Sequence, residues 1–290
     1  MRYLATLLLL CSVLTHAAPP NGFALVHDAD GHTNLRKRPD LNAKVLAKIP
    51  NGTPLECVEE LSENRSDFCF VQLQQASADD SGFIHYSRLI FPAADKSFAR
   101  LREQSGRDDT LTLSGSGQKV HIVARRIHPK LSDFSGINKD KYTARLYRGK
   151  PFYGTDYDIP KSVFALERIT LNGQAVPAAE LQGLFSPDFA ATARSSNVYQ
   201  GWKAYYRSSD KTLYLFGRQG SDGAPFGVCF IFKDGKFQRR YLWGGCDLNI
   251  ARKGRLKTQR NDKNALFSHP PIIVFRLNPC RAAGRLCLGS

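Results

Sequence analysis

The side chains best suited to chemistry are scattered along this chain, and no set of them is complete. A thiol nucleophile of the cell-wall peptidase kind needs a Cys at a helix start and a His held by a polar partner. Cys229 lies in the apolar run Val228-Cys229-Phe230-Ile231-Phe232, and Cys246 follows Gly244-Gly245. Neither precedes a helical pattern, and His269 is the only His downstream of Cys246. Metal-assisted hydrolysis needs His and Glu at ligand spacing, but His121 and His128 stand seven apart with no Glu between them. Glycan hydrolysis needs two carboxylates across the scissile bond. Asp156 and Asp158, in Tyr153-Gly154-Thr155-Asp156-Tyr157-Asp158, have tyrosines suited to sugar contact, but their spacing also describes a turn. Gly220-Ser221-Asp222-Gly223 lacks the Gly-Lys-Ser/Thr ending and following helix of a phosphate loop, and reads as a hairpin turn. The expectation is a protein that is not an enzyme, with no cofactor and no metal.

The cysteines suggest a different use. Met1-Arg2-Tyr3 gives a short positive start, residues 4–14 are an apolar run, and Thr15-His16-Ala17 has small-residue cleavage spacing. That is the pattern of a secretory signal over 1–17, which places the chain in the periplasm or outside the cell with no membrane span after removal. Six cysteines then remain: Cys57, Cys69, Cys229, Cys246, Cys280 and Cys287. An even number in an exported chain fits disulfides. Cys57 and Cys69 fall on adjacent antiparallel strands if a hairpin turns near Glu63. Cys229–Cys246 and Cys280–Cys287 follow by proximity alone.

Charge is uneven. The formal net charge is +15. Residues 22–92 carry 7 Lys/Arg against 10 Asp/Glu, whereas 232–290 carry 13 against 3. The stretch 251–263 alone has six cations and one Asp, which suits an anionic envelope polymer. Nucleic acid is not an expected partner of an exported chain.

The elements that must position these groups read as strands. Short β-rich runs separated by turn residues fill 22–92 and predict a small all-β barrel. Residues 93–117 read as a linker, polar and then rich in Thr, Ser and Gly. A second domain over 118–250 is expected to be α+β and mainly β. Its strands are 119–124, read as buried on both faces, 142–147 and 164–171, the last closed by an Asn172-Gly173 turn. Pro177 begins a short predicted helix to Phe185. A four-stranded antiparallel meander follows over 198–243, with Asp234-Gly235 as its last turn, and 251–290 is a basic tail.

The order of words in the first module is more specific. Gly31-His32-Thr33-Asn34-Leu35-Arg36-Lys37-Arg38-Pro39 is followed by Asn51-Gly52-Thr53, then Phe68-Cys69-Phe70-Val71, then Gly82-Phe83-Ile84-His85 and Ser87-Arg88-Leu89. Over 22–92 this resembles the bacterial SH3 (SH3b) domain. One departure is Phe68, where that family often has Trp. The region beyond is similar only in rhythm to uncharacterised exported bacterial proteins. The resemblance implies an SH3-like barrel that recognises peptidoglycan stem peptides or a protein partner, with Asn34, Arg36, Phe70 and His85 as ligand contacts. The leading expectation is therefore a cell-envelope binding protein. A periplasmic inhibitor or immunity-type protein is the alternative, and a cell-wall hydrolase is the least supported.

Overall fold

The computed structural model describes residues 22–58, 67–73, 81–107, 109–140, 142–155, 158–189, 201–219 and 226–244. The signal pattern, the basic stretch, Asp156, Asp222, Cys246, His269, Cys280 and Cys287 lie outside them. Within them the chain is mainly β, its sheets are antiparallel, and its helical elements are single 3-10 turns. No described helix is long and apolar enough to cross a membrane.

The first sheet uses β1 (Gly22–Val26), β2 (His32–Arg36), β3 (Val45–Pro50), β4 (Pro54–Val58), β5 (Phe68–Gln72), β6 (Ser81–His85) and β7 (Leu89–Ile90). Their order is β3-β2-β6-β5-β4-β1-β7. Strict alternation in β2 and β6 decides the two faces. Leu35 and Ile84 turn inward with Val26, Leu55, Cys57, Cys69 and Val71 to form one core. The expected closed barrel is not found: among the described residues no pairing joins β3 to β7, and the strands form an open seven-stranded sheet. The Cys57–Cys69 disulfide is present and ties β4 to β5.

The expected linker is instead structured. It holds β8 (Phe98–Arg100), β9 (Arg102–Gly106) and β10 (Thr110–Gly115). β8 is an edge of the meander sheet, while β9 and β10 begin another sheet. The latter continues with β11 (Gln118–Ile127), β14 (Val163–Leu171) and β15 (Gln174–Ala175), in the order β15-β14-β11-β10-β9. In β11, Val120, Ile122 and Ala124 are buried while their neighbours are not, so this strand is buried on one face, not two. The small pair β12 (Phe134–Ser135) and β13 (Leu146–Tyr147) packs with Phe152 and Phe185 as a satellite cluster. Of the expected 142–147 strand, Leu146 and Tyr147 form β13 and Thr143 makes an isolated bridge to Asp158.

The predicted helix after Pro177 is one turn, Ala178–Glu180. Gly183 ends any continuation with φ +82, and a Cβ there meets the Pro151 carbonyl oxygen at 2.7 Å. Burial of Leu181, Leu184 and Phe185 in irregular backbone replaces an apolar helix face.

The meander is β16 (Trp202–Arg207), β17 (Thr212–Gln219), β18 (Phe226–Lys233) and β19 (Lys236–Gly244), with β8 beyond β16. It is the middle of three layers. One face packs on the β15-to-β9 sheet through Trp202, Leu215, Val228 and Phe230. The other packs on β1 through Tyr205, Phe216, Cys229 and Trp243, which meet Phe23 and Leu25. A sheet covered on both sides reads as continuous apolar runs, and β18 has five buried residues in succession. Full burial of Phe23 and Leu25 contributes about 2–3 kcal/mol each.

Candidate functional site

The outer face of the first sheet is divided. Its β1–β4 half is closed by the middle sheet. There Glu56, cross-strand from Phe23, is buried, accepts from Trp243 Nε1 at 2.9 Å and pairs with Arg218. The β5-β6-β2-β3 half is not closed in this way, and all four residues expected from the sequence fall on it. Asn34 and Arg36 alternate with buried Thr33 and Leu35 on β2; Phe83 and His85 flank buried Ile84 on β6; Phe68 and Phe70 flank buried Cys69 on β5.

Pairing fixes the rows. Arg36 is opposite Phe83, and Phe83 is opposite Phe70. The two phenyl rings meet edge to face at 5.4 Å. One step along, Phe68 is opposite His85, with ring centroids 5.0 Å apart. On β3, Val45 stands opposite Arg36 and Lys48 opposite Asn34. Exposed Leu41, Val45 and Leu46 give this end an apolar rim. Phe83, which the expected contacts omitted, is central here. Its signal was its two-residue offset from His85 on the same strand.

The polar groups are partly committed. Arg36 Nη1 donates to the Ala43 carbonyl at 2.9 Å, which holds the β2–β3 loop. His85 Nδ1 accepts the Ser87 N–H at 3.2 Å and lies 2.8 Å from Ser87 Oγ. A neutral ring therefore carries its proton on Nε2, which has no partner among the described residues. Asn34 Oδ1 is buried with no hydrogen bond among the described residues. The face thus offers two rings, the cations of Arg36 and Lys48, and one N–H donor. That mixture fits an extended peptide bearing an apolar side chain and a carboxylate.

The other candidates stay apart. His121 Nδ1 lies 3.0 Å from Thr112 Oγ1, and His128 Nδ1 lies 3.2 Å from the Lys161 carbonyl oxygen. Among the described residues no group of three metal-ligating side chains assembles. Asp158 sits in a turn in which Thr155 Oγ1 donates to its carbonyl at 3.0 Å. Cys229 is a fully buried free thiol among the described residues, and its expected partner Cys246 lies outside them. Burial pushes its pKa well up, against nucleophilic use.

One buried titratable group was not foreseen. Lys203 is 3% exposed within the apolar β16. Burial, with Arg100 adding repulsion, lowers its pKa from 10.5 to about 8. Burial also raises Tyr214 to about 12. The signal for Lys203 was its place between Trp202 and Ala204 in a run with no room for a solvated cation.

No family model, curated protein or solved structure matches the chain. Its class rests on its own architecture: three antiparallel β layers, with a partly uncovered ring-and-cation face on the first.

Proposed function

We propose that this is an exported cell-envelope binding protein whose first sheet is an SH3b-like module that recognises a peptidoglycan stem peptide. The observation that carries the reading is the convergence of Asn34, Arg36, Phe70 and His85, with Phe83, on one face of three adjacent strands. The apolar start of the chain and the extracytoplasmic style of the Cys57–Cys69 bridge support export. In this reading the rings hold the peptide's apolar side chain and Arg36 and Lys48 meet its carboxylates, with Asn34 beside them on β2. Recognition, not bond cleavage, is the activity, and the basic stretch 251–263 adds attraction to anionic envelope polymer.

The test is co-sedimentation of the full chain with purified sacculi. Wild type is expected to sediment, and the pair Phe70→Ala and Phe83→Ala to lose at least about tenfold in affinity. Sacculi stripped of stem peptides should release the wild type. Equal binding to stripped sacculi overturns the peptide reading.

The exposed Leu41, Val45 and Leu46 favour a second reading, an inhibitor-type protein that docks an envelope protein by this rim. Recovery of one stoichiometric protein from envelope extract, lost on Leu46→Glu and without sacculus binding, selects it.

A further inference from the structure

Four hairpin turns come together at one end of the two packed five-stranded sheets. They are Ser116-Gly117 between β10 and β11, Asn172-Gly173 between β14 and β15, 208–211 between β16 and β17, and Asp234-Gly235 between β18 and β19. In three of them both central residues have positive φ: Ser116 and Gly117 at 50° and 71°, Asn172 and Gly173 at 50° and 86°, Asp234 and Gly235 at 51° and 77°. These are tight turns whose twist matches the strands, so the rim is set before any ligand arrives. The turns also brace one another and the adjoining strands. Asn172 N–H donates to the Lys119 carbonyl at 2.8 Å while Asn172 Oδ1 accepts the Lys119 N–H at 2.8 Å. The Asp234 N–H donates to the Lys211 carbonyl at 3.1 Å.

Between them lies a cleft of about 290 Å³. Leu171 and Leu213 close it from below, each almost wholly buried, and the half-buried ring of Tyr206 supplies apolar surface. Its rim is polar. Gln118 Oε1 accepts from Asn172 Nδ2 at 2.9 Å, which orients the Gln118 amide and leaves its NH2 without a partner among the described residues. The Tyr206 hydroxyl likewise has none. Lys211 Nζ and Asp234 Oδ1 stand 4.0 Å apart and cancel in charge.

We infer that this cleft binds one neutral sugar ring of a glycan chain. A pyranose has an apolar C–H face and a rim of hydroxyls that both donate and accept. The cleft has one aromatic ring, amide and ammonium donors, and a carboxylate acceptor. Lys211 and Asp234 leave the lining itself without net charge, while Lys119, Lys233 and Lys236 flank the turns, so phosphate is the competing ligand to test. The volume lies at the small end of ligand sites, enough for a single ring and not an extended peptide. The site lies on the side of the middle sheet away from the first sheet, so it stands independently of the peptide reading.

The experiment uses the full chain, isotopically labelled, with backbone and Gln118 side-chain amides followed by NMR. The probes are chitotriose, maltotriose, inorganic phosphate and glycine. A neutral saccharide is expected to give saturable shifts at Gln118, Asn172 and Gly235, with phosphate and glycine giving none. Asp234→Gly keeps the left-handed turn while removing the carboxylate. It and Gln118→Ala should each weaken binding about tenfold. The inference is overturned if neither saccharide gives a saturable shift at about 20 mM, far into the weak range. It is equally overturned if both variants leave the shifts unchanged, or if phosphate or glycine competes as well as the sugar.

Discussion

Lys203 shows how a single charge reports on packing. The unfolded chain keeps this proton to about the ordinary 10.5, and the folded chain releases it at about 8. Between those values the unfolded state binds more protons, so this residue's contribution to stability rises with pH across that window. The urea midpoint of the wild type should therefore gain on that of Lys203→Met as pH goes from about 7 to about 10. A gap that does not change with pH removes the buried cation from the account. Glu56 is the complementary case. Its replacement by Ala leaves Trp243 Nε1 without its acceptor and strips a carboxylate from Arg218 in a closed interface. The expected cost is about 3 kcal/mol by denaturant titration. Glu56 was not readable as part of an interface, because it sits in an apolar strand and its partners lie on another sheet. Asn34, Arg36 and His85 are named by the resemblance, and alternation within β2 and β6 sets the face on which they lie.

Among the elements, those with local signals came through. The β16–β19 meander and its Asp234-Gly235 turn follow from β-branched and aromatic runs between turn residues. β14 and the Asn172-Gly173 turn do too. β8 and β9 did not: β9 is polar, and the three residues of β8 become a strand by pairing with distant β16. In β10 the alternation Thr110-Leu111-Thr112-Leu113 is a local strand signal that the expected linker ignored. The run after Pro177 looked helical because its leucines are spaced for one face, yet Gly183 and the nearby backbone at Pro151 force a turn. Two element-scale outcomes can be measured. The Cys57–Cys69 bridge spans 12 residues, so its removal as a paired Cys57→Ala and Cys69→Ala change should cost about 2–3 kcal/mol. In the middle sheet, Trp202 lies across its cross-strand partner Gly217, where a Cβ meets the indole at 2.8 Å. Gly217→Ala should therefore destabilise by about 1–3 kcal/mol, seen as a lowered Tm.

For the whole molecule, the stacking of three layers was not legible. The sequence divides into a front module and a back domain; the continuous apolar run Phe23-Ala24-Leu25-Val26 says that both faces of β1 are covered, but not by what. Phe23 and Leu25 have their partners in Tyr205, Tyr214 and Phe216. A fragment cut to 22–92 should therefore expose those two side chains and self-associate. Phe23→Ser with Leu25→Thr should restore a monomer in sedimentation, while the same pair in the full chain should lower Tm. A fragment that stays monomeric without those changes contradicts the shared core.

The place of β8 at the margin of the middle sheet has a further result for how the chain comes off the ribosome. Its hydrogen-bonding partner, Tyr205–Arg207, is translated long after Phe98–Arg100. At about 10 residues per second the delay is on the order of ten seconds. Until the later strands arrive, Phe23 and Leu25 lack the aromatic side chains that cover them, so closure of the stack waits for the last of the described strands.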